Sequence, residues 1–166
     1  MSTGCTWFAR SVFRLRRTVQ VVKVQLAHVG IAVRSIYDAR VFYEEVLGLE
    51  VRDIEEIASE GVKIALIPFD GGEIELLEPL EPDTPIGRFL DKHGEGLHHV
   101  SFDVPDVRGA ILAGIEHGVE TVGEAPRMGS EGREIAFFHP LFTHGVLVEV
   151  AGPRGEETGD LAGSPG

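Results

Sequence analysis

Two histidines and two glutamates of this 166-residue chain occupy equivalent places in two copies of one short sequence pattern. The first copy reads HVGIAV from His28 and EIELLEP around Glu75, and the second reads HVSFDV from His99 and GVLVEV around Glu149. Imidazole nitrogens and carboxylate oxygens together form a donor set suited to a divalent metal, with room left for water or substrate. The pattern therefore predicts a four-ligand metal site built from two similar halves.

The elements that would position these residues also repeat. In the first copy, alternating β-branched residues predict a strand, a helix that Ser35 caps and Gly48 ends, and three more strands. In the second copy, a strand from His98 is followed by a helix that Asp106 caps and Gly118 ends. The predicted strands lie near residues 24–33, 49–57, 62–69, 73–79, 98–104, 119–123, 133–139 and 145–151, with a helical linker at 85–93.

The repetition predicts an α+β fold made of two β-α-β-β-β modules, residues 24–82 and 96–153. His28 and His99 lie 71 residues apart, whereas Glu75 and Glu149 lie 74 apart, which indicates a three-residue insertion in the second module. We expect one domain, residues 24–153, in which the modules form a pseudo-twofold open barrel or cleft around the metal site.

Each of these four residues alone has an ordinary structural explanation. A lone strand histidine is commonly a hydrogen-bonded core residue, and a lone strand glutamate is commonly solvated. Their equivalent positions, and the otherwise apolar VLVEV run around Glu149, favour the ligand set, since burying an unpaired carboxylate is costly. Alternation along the strand predicts that His98 faces away from His99, towards the helices.

A glycine-rich segment, PRMGSEGREIAFFHP at residues 126–140, is a second candidate site. Gly129 and Gly132 would allow close backbone approach, and Arg127 and Arg133 would supply cations at the cleft mouth. We interpret these four residues as substrate-binding, for a carboxylate or a phosphorylated carrier. An ordinary glycine-rich hairpin with solvated arginines is the alternative.

The composition excludes several classes of protein. A net charge of −12 argues against nucleic-acid binding, because phosphate backbones select for clustered cations. No apolar run approaches the roughly 20 residues needed to span a bilayer. Cys5 is the only cysteine, so neither an intrachain disulfide nor a thiolate metal site is available. These features predict a cytoplasmic protein.

The two ends differ from the rest of the chain. Residues 1–23 hold five cations and no acid, which is typical of a transit peptide. A start codon placed too early and a basic arm are the other interpretations; a transit peptide would place the protein in the mitochondrial matrix. Residues 154–166 are rich in glycine, proline and charge, which predicts a disordered tail.

Several longer motifs carry a family resemblance. They are FYEEVLGLEV from residue 42, DTPIGRFLDKHGEGLHHVSFDV from residue 83 and EAPRMGSEGREIAFFHP from residue 124. With the His and Glu strands, they make the chain from about Gln25 to Pro153 resemble the methylmalonyl-CoA epimerases, a family of the glyoxalase or vicinal oxygen chelate (VOC) superfamily.

This resemblance implies an isomerase of propionate metabolism that interconverts the (R) and (S) forms of methylmalonyl-CoA. It implies a divalent ion, commonly cobalt, with Mn, Ni, Zn or Mg as alternatives, bound by His28, Glu75, His99 and Glu149. The acyl-CoA substrate would chelate the ion and lose its C2 proton to form an enolate, with Glu149 as one base. The resemblance also implies a homodimer.

The chain departs from the family pattern at two positions. Some members carry a glutamate where this chain has Ile64, which leaves the second base unassigned, and many carry a lysine where this chain has Leu141. A glyoxalase-type isomerase acting on a hemithioacetal and a non-catalytic ligand-binding protein remain as alternatives. An extradiol dioxygenase fits less well, because its iron site uses two histidines and one carboxylate.

Overall fold

The computed structural model describes residues 23–129 and 132–153. The predicted tail, and the N-terminal extension apart from Lys23, lie outside these residues. The strands are β1 (Gln25–Ala32), β2 (Arg52–Ile57), β3 (Val62–Phe69), β4 (Gly72–Pro79), β5 (Gly96–Asp103), β6 (Arg127–Met128), β7 (Glu134–Phe138) and β8 (Leu147–Ala151). The helices are α1 (Ile36–Val41), which continues as a π-helical segment (Phe42–Val46), α2 (Pro85–His93) and α3 (Val107–Glu116).

All eight described strands belong to one mixed sheet, in the order β2-β3-β4-β1-β5-β8-β7-β6. β1 and β5 pair antiparallel at its centre, and each is flanked by a parallel partner, β4 or β8. The registers repeat as well, since Gly30 lies opposite Glu75 and its equivalent Ser101 lies opposite Glu149. The sheet curls into a half-barrel, so the predicted fold is confirmed.

Each module buries a helix against the outer face of the sheet. In the first module, Ile36 at the start of α1 packs with Ala65, Ile67 and Leu76. In the second, α3 packs on the face that holds Ala136 and Val150, two residues of a separate buried cluster. Alternation along the strands then directs Ile64, Glu75 and Glu149 towards the inner face.

The linker helix α2 covers part of the inner face. Ile86 and Leu90 of α2 pack with Val62, Ile64 and Leu77. One end of the half-barrel is therefore closed by an apolar cluster. Among the described residues, no helix is long and apolar enough to cross a membrane.

The predicted helix caps are confirmed. The side chain of Ser35 accepts a hydrogen bond from the backbone N–H of Asp38, and that of Asp106 accepts one from Gly109. The π-helical continuation of α1 was not predicted from the spacing of its apolar residues.

The predicted strand at 119–123 is wrong. Thr121 makes only an isolated bridge to Phe138, and the chain then turns at Gly123, whose φ is +67°. β6, which spans only Arg127 and Met128 between Pro126 and Gly129, was missed because two residues show no periodicity.

The structure places Arg133 in the interior, away from the cleft mouth that the sequence predicted. Its Nε donates to the carbonyl of Gly152 at 2.8 Å, and its Nη2 donates to the same carbonyl and to the carboxylate of Asp103. The side chain is only 7% exposed. The guanidinium thus links Arg133, the residue before β7, to β5 and to the residue after β8.

Arg133→Ala should lower the free energy of unfolding by about 1–3 kcal/mol, because it leaves a buried carbonyl and a carboxylate without their donor. Urea unfolding of both proteins measures this difference. Arg108→Ala is the matched control, since the Arg108–Glu134 pair is exposed and should contribute less than about 1 kcal/mol. Equal losses in the two variants would contradict this interpretation of Arg133.

Candidate metal centre and substrate cavity

The four predicted ligand residues converge on the inner face of the sheet. The Nε2 atoms of His28 and His99 lie 2.9 Å apart. One carboxylate oxygen of Glu149 lies 3.3 Å from His28 Nε2 and 3.7 Å from His99 Nε2. One oxygen of Glu75 lies 3.6 Å and 3.7 Å from the same two nitrogens.

Two irregularities in the pairing of β1 with β5 place the histidines. Leu26 pairs with Phe102 and His28 with Ser101, so Ala27 is an extra residue in β1. Gly30 pairs with His99 and Ile31 with Leu97, so His98 is an extra residue in β5. Ala27 and His98 are equivalent in the 71-residue repeat, and each immediately precedes a predicted ligand. A bulge of this kind bends a strand and re-aims its side chains.

The bulge corrects the orientation predicted for His98. Simple alternation predicted that it faces away from His99, but both line the same cavity, and their Nδ1 atoms lie 3.0 Å apart. The predicted contact with the helices is present, since the His98 ring meets Phe89 of α2 edge-on with centroids 4.9 Å apart. Nε2 of His99 therefore faces His28, and Nδ1 of His99 faces His98.

Gly30 makes room for the second histidine. A Cβ atom built on Gly30 would lie 2.3 Å from Cε1 of His99, closer than any real contact. Even alanine would displace the ring. Gly30 shares the inward face of β1 with His28, and its lack of a side chain is what lets His99 reach the cluster.

Burial and mutual contact shift the pKa values within the cluster. Burial raises the pKa of Glu75 to about 7 and lowers that of His99 to about 3. Burial opposes the charged forms of His28 and Glu149 as well, but their hydrogen bond and the neighbouring opposite charges together outweigh it, so the pKa of His28 is raised and that of Glu149 is lowered. Four ionisable groups are thus packed together where burial disfavours the charged form of each.

The cluster fits a divalent cation. The ligand atoms of His28, His99 and Glu149 all lie within 4.8 Å of one another. Donors bound to one zinc-sized ion at about 2 Å necessarily lie about 3 Å from one another, which resembles the spacing found here. A cation bound between the nitrogens and the carboxylates would be a shared partner for these groups, which would otherwise compete for the same protons.

The cluster lies in a cavity of about 320 Å³ between the two modules. The wall from the first module and α2 is largely apolar, whereas the second module contributes more of the polar groups. Outside the four predicted ligands, the described lining includes four ionisable residues: Glu60, His98, Glu124 and Arg127. The apolar part of the lining includes Ile57, Val62, Ile64, Leu77, Ile86 and Phe137.

An ion pair crosses the cavity from one module to the other. Arg127 of β6 donates to Glu60, in the turn between β2 and β3, with Nη1 and Oε1 2.5 Å apart. The guanidinium also lies over the ring of Phe137, 5.3 Å from its centroid, and that ring lies 5.7 Å from His99. The sequence predicted Arg127 as a binding residue but assigned no role to Glu60, the first residue of the EGVKIALIPF segment.

The other three predicted substrate-binding residues do not line the cavity. Arg133 bonds internal acceptors, and a Cβ atom on Gly129 would lie 2.7 Å from Ile135. Gly132 has φ of +65°, as expected in a turn. Arg127 alone of the four therefore reaches the cavity, and Arg133 fits neither interpretation, because it is buried and not solvated.

Comparisons with known proteins agree with this architecture. Residues 27–137 match the family model of the glyoxalase/bleomycin resistance protein/dioxygenase superfamily. Uncharacterized protein YqjC of Bacillus subtilis is 41% identical over 133 residues, which are 80% of this chain and 95% of that protein. The mitochondrial methylmalonyl-CoA epimerase of Bos taurus is 35% identical over 127 residues, 76% of this chain and 73% of that protein.

A solved structure extends the likeness to three dimensions. A variant of methylmalonyl-CoA epimerase from Streptomyces coelicolor, in complex with 2-nitronate-propionyl-CoA, aligns with a TM-score of 0.72 at 34% identity. The alignment covers 79% of this chain and 98% of that chain. This likeness spans both modules.

In the metal-free protein, the contribution of Glu75 to the free energy of unfolding should depend on pH. Its pKa is raised in the folded state, so its contribution to stability is present below its ordinary pKa of 4.5 and is lost as the pH rises through about 7. Because glutamine cannot ionise, the free energy of unfolding of Glu75→Gln should increase relative to that of the wild type as the pH rises across this range. Urea midpoints of the two metal-free proteins from pH 4.5 to 7.5 test this, and a constant difference would contradict it.

His98→Ala should weaken divalent-metal binding by about 10–100-fold, because the contact to Nδ1 of His99 fixes the orientation of that ring. Calorimetric titration with cobalt(II) measures the affinity directly. His93→Ala is the matched control, since His93 also contacts the Phe89 ring, at 4.9 Å, but belongs to α2. Equal affinities in the two variants would show that His98 does not position His99.

Proposed function

Because this chain belongs to the glyoxalase/bleomycin resistance protein/dioxygenase superfamily, we propose that it uses its metal centre to epimerise methylmalonyl-CoA or a close acyl-CoA. The observation that carries this proposal is the convergence of two imidazoles and two carboxylates in one cavity. Relatives and a structural neighbour named methylmalonyl-CoA epimerase support the substrate class.

His28, Glu75, His99 and Glu149 would hold the divalent ion. When bound, the ion would supply Lewis-acid stabilisation to negative charge that develops on substrate oxygens. The C2 proton of a malonyl thioester lies between two carbonyl groups, so its removal gives an enolate whose charge needs such stabilisation. Which metal is native stays a prediction from the family resemblance, as does the homodimer.

Glu149 is the residue we assign to proton transfer at one face of C2. It is 6% exposed, and its lowered pKa keeps the ionised form that accepts a proton. Its strand, β8, pairs with both β5 and β7, which fixes the position of the carboxylate. Proton transfer by a group positioned in this way typically contributes about 10²–10⁴-fold to the rate.

The two walls of the cavity suit the two ends of such a substrate. Arg127 would bind an anionic group of the substrate, since its guanidinium is the cation among the described lining residues. Ile64, Leu77 and Ile86 form an apolar wall against which the alkyl substituent at C2 would pack. Burial of the reacting carbon there would keep water from the enolate.

With metal bound, the wild-type protein should interconvert (R)- and (S)-methylmalonyl-CoA and should exchange the C2 proton with solvent deuterium. Glu149→Gln should slow the interconversion, and the exchange of the enantiomer that Glu149 deprotonates, at least about 100-fold, because the amide cannot accept the proton. NMR measures the exchange, and metal analysis measures the metal content of both proteins. Together the two measurements distinguish loss of the base from loss of the metal.

The same samples discriminate the competing functions. Absence of C2 exchange in metal-loaded wild-type protein would refute the epimerase proposal. Turnover of a hemithioacetal without such exchange would identify a glyoxalase-type isomerase. Protein without a stoichiometric divalent ion whose ligand affinity survives His99→Ala and Glu149→Ala together would identify a binding protein.

A further inference from the structure

Inversion at C2 requires a proton to leave one face and another to arrive on the opposite face. Glu149, in the second module, serves one face in the proposed function. The inner face of β3 in the first module presents Val62 and Ile64, which carry no ionisable group. The first module must therefore supply its proton-transfer group from elsewhere in the cavity lining.

Glu60 is the carboxylate of the first module that lines the cavity and does not belong to the predicted ligand set. Its backbone is held by the turn between β2 and β3, where its N–H donates to Ile57 and the carbonyl of Gly61 accepts from Leu80. The side chain is 29% exposed. The position is thus both ordered and open to a substrate.

Arg127 orients this carboxylate. The ion pair spans the cavity from the second module and fixes the direction in which the Glu60 carboxylate points. An anionic substrate would compete for the same guanidinium, and the competition would free Glu60 at the moment the cavity fills. The charge of Glu60 also contributes to the raised pKa of Glu75, so the two carboxylates interact electrostatically.

We propose that Glu60 is the second proton-transfer group, acting on the face of C2 opposite Glu149; this inference rests on the proposed function. In one direction Glu60 takes the C2 proton, and the electron pair of the C–H bond moves into the enolate. Glu149, which has taken up a proton from solvent beforehand, then donates it to the other face; after product release, Glu60 gives its proton to solvent and Glu149 takes up another, which restores the starting state. The reverse reaction uses the same two carboxylates in exchanged roles, so protons and charge balance.

The other ionisable residues of the lining fit this role less well. Glu124 belongs to the second module, as does Glu149. His98 has one ring nitrogen directed at His99 and packs its ring against Phe89.

The test is an exchange experiment with separate enantiomers. In metal-loaded Glu60→Gln, epimerisation should fall at least about 100-fold, because one face has lost its base. Solvent deuterium should still enter C2 of the enantiomer that Glu149 deprotonates, but not of its mirror image. Glu55→Gln, which changes an exposed carboxylate of β2 outside the cavity lining, is the matched control and should retain both epimerisation and exchange from both enantiomers.

Three results would overturn the assignment of Glu60 while leaving the proposed function intact. They are epimerisation of Glu60→Gln at the wild-type rate, loss of exchange from both enantiomers with metal retained, and an enantiomer-selective loss in Glu124→Gln instead. If Glu60→Gln does not fold, Glu60→Asp keeps the charge for Arg127 but withdraws the carboxylate by one methylene, so exchange should slow for that same enantiomer alone. No exchange in the wild type would refute the proposed function itself.

Discussion

The antiparallel pairing of β1 with β5 is the contact on which the structure depends. It joins the two modules at the centre of the sheet, at the pseudo-twofold axis that relates them. Because Gly30 faces His99 in this register, the imidazole nitrogens of His28 and His99 approach to 2.9 Å. A shift of one residue would turn one histidine to the outer face, so register and site are inseparable.

The energetic cost of the site is offset by its surroundings. Two carboxylates and two imidazoles are removed from water, which disfavours every charged form. The hydrogen bond between His28 and Glu149 favours the charged forms of that pair, whereas burial raises the pKa of Glu75 to about 7. The apolar clusters around α1, α2 and α3 supply the burial that keeps this arrangement folded.

The two modules are alike in backbone and different in chemistry. His98 of β5 has Ala27 as its equivalent in β1, so only one of the two histidines gains an imidazole neighbour at its second nitrogen. The lining from the first module is mainly apolar, and Arg127 reaches across from the second module to Glu60. A symmetric scaffold thus presents an asymmetric cavity.

The sequence by itself determined the repeat, most helices and strands, the helix caps and the four residues of the cluster. These are consequences of local periodicity and of a spacing that recurs along the chain. Only the tertiary structure decided the direction of His98, the interior position of Arg133 and the pairing of Arg127 with Glu60. A bulge depends on the partner strand, burial depends on the packed layers, and Glu60 and Arg127 are 67 residues apart, so local sequence carries no signal for any of them.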